Sequence, residues 1–127
     1  MAGPLETVAR QFTAHLDALD ADALMSLVAG DIEGVDEISR QWLRGRGAVD
    51  AYLRQLVTQV SDVHSEMRDV NERVWGDVGV LTFWLDQTYA HEGSAVRISG
   101  PTTMLFVRDE GEWKLALFHS VPLPEQD

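Results

Sequence analysis
Three side chains have the chemistry to move protons in an apolar setting. Asp86 follows Trp84 inside a long apolar run, Asp36 follows Ile32 to Val35, and His119 lies among Leu117, Phe118, Ser120 and Val121. Partial burial raises a carboxyl pKa toward neutrality, where the group serves as acid or base, and an imidazole titrates there unaided. Each has a plainer reading beside it: a solvated or ion-paired carboxylate, or a hydrogen-bonded core or interface histidine. Other chemistries have less to stand on. The chain has no cysteine, hence no thiolate nucleophile or ligand, and its 4 histidines are dispersed without a His-Glu-x-x-His spacing, so no metal is expected. No serine stands in a nucleophile-elbow pattern. Gly45-Arg46-Gly47 lacks the spacing of either nucleotide fingerprint and reads as a turn, so no cofactor is implied.

These residues need elements to hold them in place. From Pro4, apolar residues at Leu5, Val8, Ala9, Phe12, Leu16 and Leu19 follow the spacing of a helix with one buried stripe. Asp20 then caps a short second helix through Val28, with Gly30 as its stop. A short strand near Ile32 to Val35 and irregular chain through Trp42 follow, and a third helix carries Val49, Tyr52, Leu53, Leu56, Val57 and Val60 on one face. Beyond Ser61 the pattern turns to β-branched and aromatic residues. Turn signals at Trp75-Gly76-Asp77, His91 to Ser94 and Arg108 to Gly111 cut four strands: Val63 to Val74, Val78 to Ala90, Ala95 to Val107 and Trp113 to Val121. Short connections make them an antiparallel meander, and Gly100-Pro101 predicts a bulge or bend.

The predicted fold class is therefore α+β: a cone-shaped, curled antiparallel sheet with three N-terminal helices packed on its concave face, in a single domain over residues 1–127. In the Val78–Ala90 strand both parities are apolar, Val80, Thr82, Trp84 and Asp86 on one and Leu81, Phe83, Leu85 and Tyr89 on the other. A sheet with one solvated face would alternate with polar residues. The face of Leu81, Phe83, Leu85, Met104 and Phe106 is accordingly expected to meet a second copy in a homodimer.

A length of 127 residues, 45% hydrophobic, suits one hydrophobic core. The net charge of −11 repels phosphate backbones and anionic lipid surfaces, so neither nucleic acid nor membrane is an expected partner. The opening MAGPLETVARQF lacks the basic start and apolar core of a secretory leader, and no run approaches the ~18 apolar residues of a membrane span. A soluble, cytoplasmic protein is expected.

The order of elements, with Val35-Asp36, Gly45-Arg46-Gly47, Gly76-Asp77-Val78 and Gly111-Glu112-Trp113-Lys114-Leu115, resembles the nuclear transport factor 2-like superfamily and within it the SnoaL-like proteins. That superfamily includes ketosteroid isomerases, polyketide cyclases, dehydratases and the association domain of a calmodulin-dependent kinase, so the fold does not determine the activity. Laid beside ketosteroid isomerases, the resemblance puts their general base on Asp36, their oxyanion-hole tyrosine on Phe12 and their protonated aspartate on Thr103. The base is kept and both donors are lost. Each lost oxyanion donor typically costs ~2.7 to 4 kcal/mol of transition-state stabilisation, which argues against steroid isomerisation of that design. The same resemblance aims Tyr52, Trp84 and Asp86 into the cone. It implies a small, largely apolar ligand contacted by Phe12, Tyr52, Trp84 and Thr103. Asp36, Asp86 and His119 are its candidates for cofactor-free isomerase, cyclase or dehydratase chemistry. The rival reading is an association module in which the hollow is a by-product.

Overall fold
The computed structural model describes residues 2–36 and 40–121, Asp36 through its backbone alone. Helix α1 runs Pro4–Asp17 with proline in its first turn and buries Leu5, Ala9 and Phe12, one side of the predicted stripe. Asp20 Oδ1 accepts from the Ala23 N–H at 3.1 Å and caps α2, Ala21–Met25. The chain then enters strand β1, Val28–Asp36, so Gly30 lies within a strand and does not end the helix. A strand β2, Gln41–Arg44, occupies the stretch expected to be irregular and pairs with β1. Helix α3, Arg46–Gln59, starts after Gly45, whose φ of 88° suits glycine and whose N–H donates to the Ile32 carbonyl at 2.8 Å.

Four long strands follow: β3 Val60–Trp75, β4 Val78–His91, β5 Ser94–Asp109 and β6 Glu112–Ser120. Glu92-Gly93 and Glu110-Gly111 have φ between 51° and 82°, the paired positive values of hairpin turns whose twist matches the strands they join. The sheet order is β2-β1-β6-β5-β4-β3. All pairs are antiparallel except β1 with β6, which is parallel and returns the N-terminal strand to the far side of the meander.

Curling comes from β3 rather than from Gly100-Pro101. The β4–β5 register runs unbroken from Val78↔Val107 to His91↔Ser94, with Pro101 opposite Trp84. The Pro101 carbonyl accepts from the Val121 N–H at 3.0 Å, so the proline nitrogen points toward β6 just where that strand ends, and the β4–β5 ladder is undisturbed. Strand β3 instead gains an extra residue against β4 at two places, between Ser61 and His64 and between Arg68 and Asn71. Asp62 and Asp69 sit there at φ 53° and 56°, the left-handed region that aspartate tolerates better than most residues. Each bulge bends the strand.

All three helices pack on the inner face of the sheet, burying Leu5, Phe12, Leu24 and Leu53 against Leu81, Phe83, Leu85, Met104, Phe106 and Leu115. This corrects the expected orientation. The face of Leu81, Phe83, Leu85, Met104 and Phe106 is the core and is not available to a second copy. The helix stripes cover the more strongly apolar parity, and the parity holding Thr82 and Asp86 turns outward, where its polar groups keep their partners. Among the described residues no helix is long and apolar enough to cross a membrane.

At the narrow end of the cone α1 touches β4 so closely that a Cβ on Gly79 would lie 2.5 Å from Leu5 Cδ1 and 3.3 Å from the Arg73 carbonyl. Leu5 is fully buried and has nowhere to retreat. Gly79→Ala is expected to lower stability by about 1–3 kcal/mol, read as an earlier midpoint in urea unfolding with the slope unchanged. A midpoint equal to that of the parent protein would mean that α1 can shift freely.

Candidate functional site
Between the helices and the curled sheet lies a cavity of about 160 Å³ that opens to solvent. Helix α1 contributes Phe12, whose ring stacks 6.2 Å from that of Phe118, and α3 contributes Tyr52, Leu53 and Leu56. From the sheet come Phe83, Leu85, Gln87 and Tyr89 on β4, Ile98 and Met104 on β5, and Glu33, Gly34 and Val35 on β1. The lining is overwhelmingly apolar. Its polar members are Thr13, Glu33, Tyr52, Gln87 and Tyr89. Glu33 stands half-exposed and faces Arg44 Nε at 3.5 Å.

One polar chain leads away from the cavity. Gln87 Nε2 donates to Ser65 Oγ at 3.0 Å, and Ser65 Oγ donates to Asp17 Oδ1 at 2.7 Å. Asp17 Oδ2 also accepts the Ser65 backbone N–H at 3.1 Å. Asp17 is the last residue of α1, where a carboxylate opposes the helix dipole, and these two bonds offset that cost while tying the helix end to β3.

Of the residues singled out from sequence, Phe12 and Tyr52 line the cavity. Asp36 ends β1 directly after the lining residues Glu33 to Val35, and its side chain lies outside the described residues. Trp84, Asp86, Thr103 and His119 do not reach the hollow. Thr103 pairs with Thr82 on one side and His119 on the other, all on the outer face, and the His119 ring stacks on Trp42 at 6.3 Å. The inward residues are their neighbours: Thr102 and Ser120 are buried with their hydroxyls 2.7 Å apart. Side chains alternate with period two, so a slip of one residue in laying out the strands exchanges the faces. Tyr89 was expected with Leu81, Phe83 and Leu85 on the face meeting a second copy, and Gln87 of the same parity was not singled out. Their signal was present as the polar continuation of the parity Leu81, Phe83, Leu85.

On the outer face Asp86 belongs to a closed network. Arg68 Nε donates to Asp86 Oδ2 and Ser99 Oγ donates to Oδ1, both at 2.7 Å. Ser99 in turn accepts from Trp84 Nε1 at 2.7 Å, and the Arg68 guanidinium lies 5.0 Å over the Trp84 ring. The hydrogen bond from Arg68 first, then that from Ser99, holds the Asp86 carboxyl below its ordinary pKa, which is the opposite of what a general base near neutrality requires. A depressed folded-state pKa contributes stability above the unfolded value and loses it as pH falls through the folded one. Asp86→Asn is therefore expected to cost up to about 1 kcal/mol at pH 7, with the difference from the parent protein closing in acid. Thermal melts across the range from pH 7 to pH 2 check this; a gap that does not narrow toward the acid end would contradict the ion-pair account.

The sequence profile of the SnoaL-like domain matches residues 5–124. No curated protein matches the sequence significantly. Among solved structures, a candidate dehydratase of the nuclear transport factor 2-like family from Streptomyces avermitilis superposes with a TM-score of 0.86 at 21% identity, covering 96% of both chains. A candidate scytalone dehydratase from Novosphingobium aromaticivorans gives 0.86 at 15% identity, covering 95% of this chain and 83% of its own. A candidate calcium/calmodulin-dependent protein kinase II association domain from Xanthomonas campestris gives 0.83 at 17%, covering 96% and 87%. At such identities the superpositions establish the fold alone. With its profile matched over nearly the whole length, the chain belongs to the SnoaL-like domain family.

Proposed function
We propose that the protein binds a small, largely apolar organic molecule in the hollow of the cone. The observation that carries this reading is that the inner face is not packed shut: a cavity of about 160 Å³, with an apolar wall and a few polar groups, remains between α1, α3 and the sheet. Well-packed interiors leave few voids larger than a water molecule, and an apolar cavity of about 150 Å³ is enough to admit benzene. The volume therefore suits one ring or a short branched chain, and is too small for a fused polycycle without opening.

Cofactor-free acid/base turnover of an isomerase, cyclase or dehydratase kind, the last being the activity for which two of the structural relatives are named, would have to run in this hollow. Asp86 and His119 are on the wrong side of the sheet for it. Asp36, ending the strand that supplies Glu33 to Val35 to the wall, remains the candidate base. Titration of the purified protein with toluene, followed by NMR, is expected to show saturable binding that Leu56→Trp weakens at least tenfold by filling the cavity from α3. No saturation, or saturation indifferent to Leu56→Trp, would remove the ligand reading.

Self-association is favoured by a separate observation. Val80, Leu105 and Leu117 stand in register across β4, β5 and β6 on the outer face, flanked by Val78 and Val107, and among the described residues no helix packs on that side. A half-covered aliphatic stripe across three strands suits a second copy of the same face. Leu105→Arg is expected to shift the protein to monomer in light scattering with its circular dichroism unchanged; an unaltered mass would reject this interface.

A further inference from the structure
We propose that Gln87 is the hydrogen-bonding anchor for the cavity ligand, held by Asp17 and Ser65 with its carbonyl oxygen toward the ligand, so that the site selects a single-ring-sized apolar molecule carrying one O–H or N–H donor, such as a phenol or an enol. The inference rests on the hollow being a ligand site.

The direction of every bond follows from the carboxylate at its end. A carboxylate only accepts, so both Asp17 oxygens take hydrogens from Ser65, one from the backbone N–H and one from the hydroxyl. The Ser65 hydroxyl has then spent its only hydrogen and can meet Gln87 only as an acceptor. What faces it at 3.0 Å must be the amide nitrogen. An amide's two ends are hard to tell apart by shape, but here the neighbours decide: Nε2 gives one of its two hydrogens to Ser65, and Oε1 lies at the other end of the planar group. Ser65 and Gln87 are also direct register partners on β3 and β4, so the backbone ladder holds them together. Gln87 lines the cavity, and among the described residues no donor reaches its Oε1. An amide oxygen at the wall of an apolar hollow rewards a ligand that donates to it and leaves a ligand without a donor unrewarded.

Docking the end of α1 onto β3 would need Asp17 and Ser65 but not any particular direction of the Gln87 amide. The direction is what the test reads. Affinities of phenol, toluene and benzaldehyde are measured by calorimetry for the full chain and its variants. In Gln87→Leu the phenol-to-toluene affinity ratio is expected to fall about tenfold, because the hydroxyl is buried without an acceptor, while toluene still binds. In Asp17→Asn the relay reverses. The asparagine oxygen keeps the Ser65 backbone N–H, its NH2 group donates to Ser65 Oγ, and Ser65 then donates to Gln87 Oε1, turning the amide NH2 toward the ligand. The benzaldehyde-to-phenol ratio is expected to rise about tenfold. Should Asp17→Asn lose toluene binding, Ser65→Ala takes its place, since freeing the amide moves the same ratio in the same direction. A parent protein that prefers benzaldehyde, or ratios unmoved in Gln87→Leu and in the relay variant, would overturn the anchor while leaving the toluene site standing. Failure of the parent protein to bind toluene would overturn the site itself.

Discussion
Everything about this molecule depends on which parity of strands β4 and β5 the helices cover. A strand offers alternate side chains to opposite faces, and the two central strands are long enough that one choice sorts some thirty residues into a helix-covered interior and an outer surface. The helices cover Leu81, Phe83 and Leu85 with Met104 and Phe106, because that face holds more apolar surface and its buried Thr102 hydroxyl is paired with Ser120. Asp86 and Trp84 are thereby sent outside, where Arg68 and Ser99 satisfy them.

The interior so defined does not close completely, and the reason lies in curvature. Two extra residues in β3, at Asp62 and Asp69, bend the edge of the sheet around the helices. Gly79 lets α1 approach tightly at the narrow end. Packing is therefore dense around Leu5, Leu24, Leu81 and Phe106 and loosens toward Tyr52, Gln87 and Tyr89. Polar groups gather where the packing loosens.

Two faces of one sheet thus carry separate properties. The inner face provides a hollow whose wall is almost entirely apolar, with one amide oriented by a carboxylate it does not touch. The outer face carries an aliphatic stripe beside a hydrogen-bonded network centred on Asp86. Chemistry that looked like one constellation along the chain is divided between them. His119 stacks on Trp42 outside, and its neighbour Ser120 pairs with Thr102 inside.

By itself the sequence determined the class of fold, the turns that cut the meander, the buried stripe of α1 and the placing of Phe12 and Tyr52 toward the sheet. These follow from local rules: helical spacing, Asp20 as a cap, Glu-Gly pairs where both turn residues need positive φ. It did not reveal β2, whose four residues pair with β1 only through a contact between chain segments. Nor could it tell which face of β4 was covered, since Val80 and Trp84 on one parity and Leu81, Phe83 and Leu85 on the other are all apolar. Alternation marks two faces without saying which one the helices will meet; that depends on three helices and the register shifts acting on the sheet together. Only the tertiary structure decided it, because burial is a property of what packs against a residue and not of the residue itself.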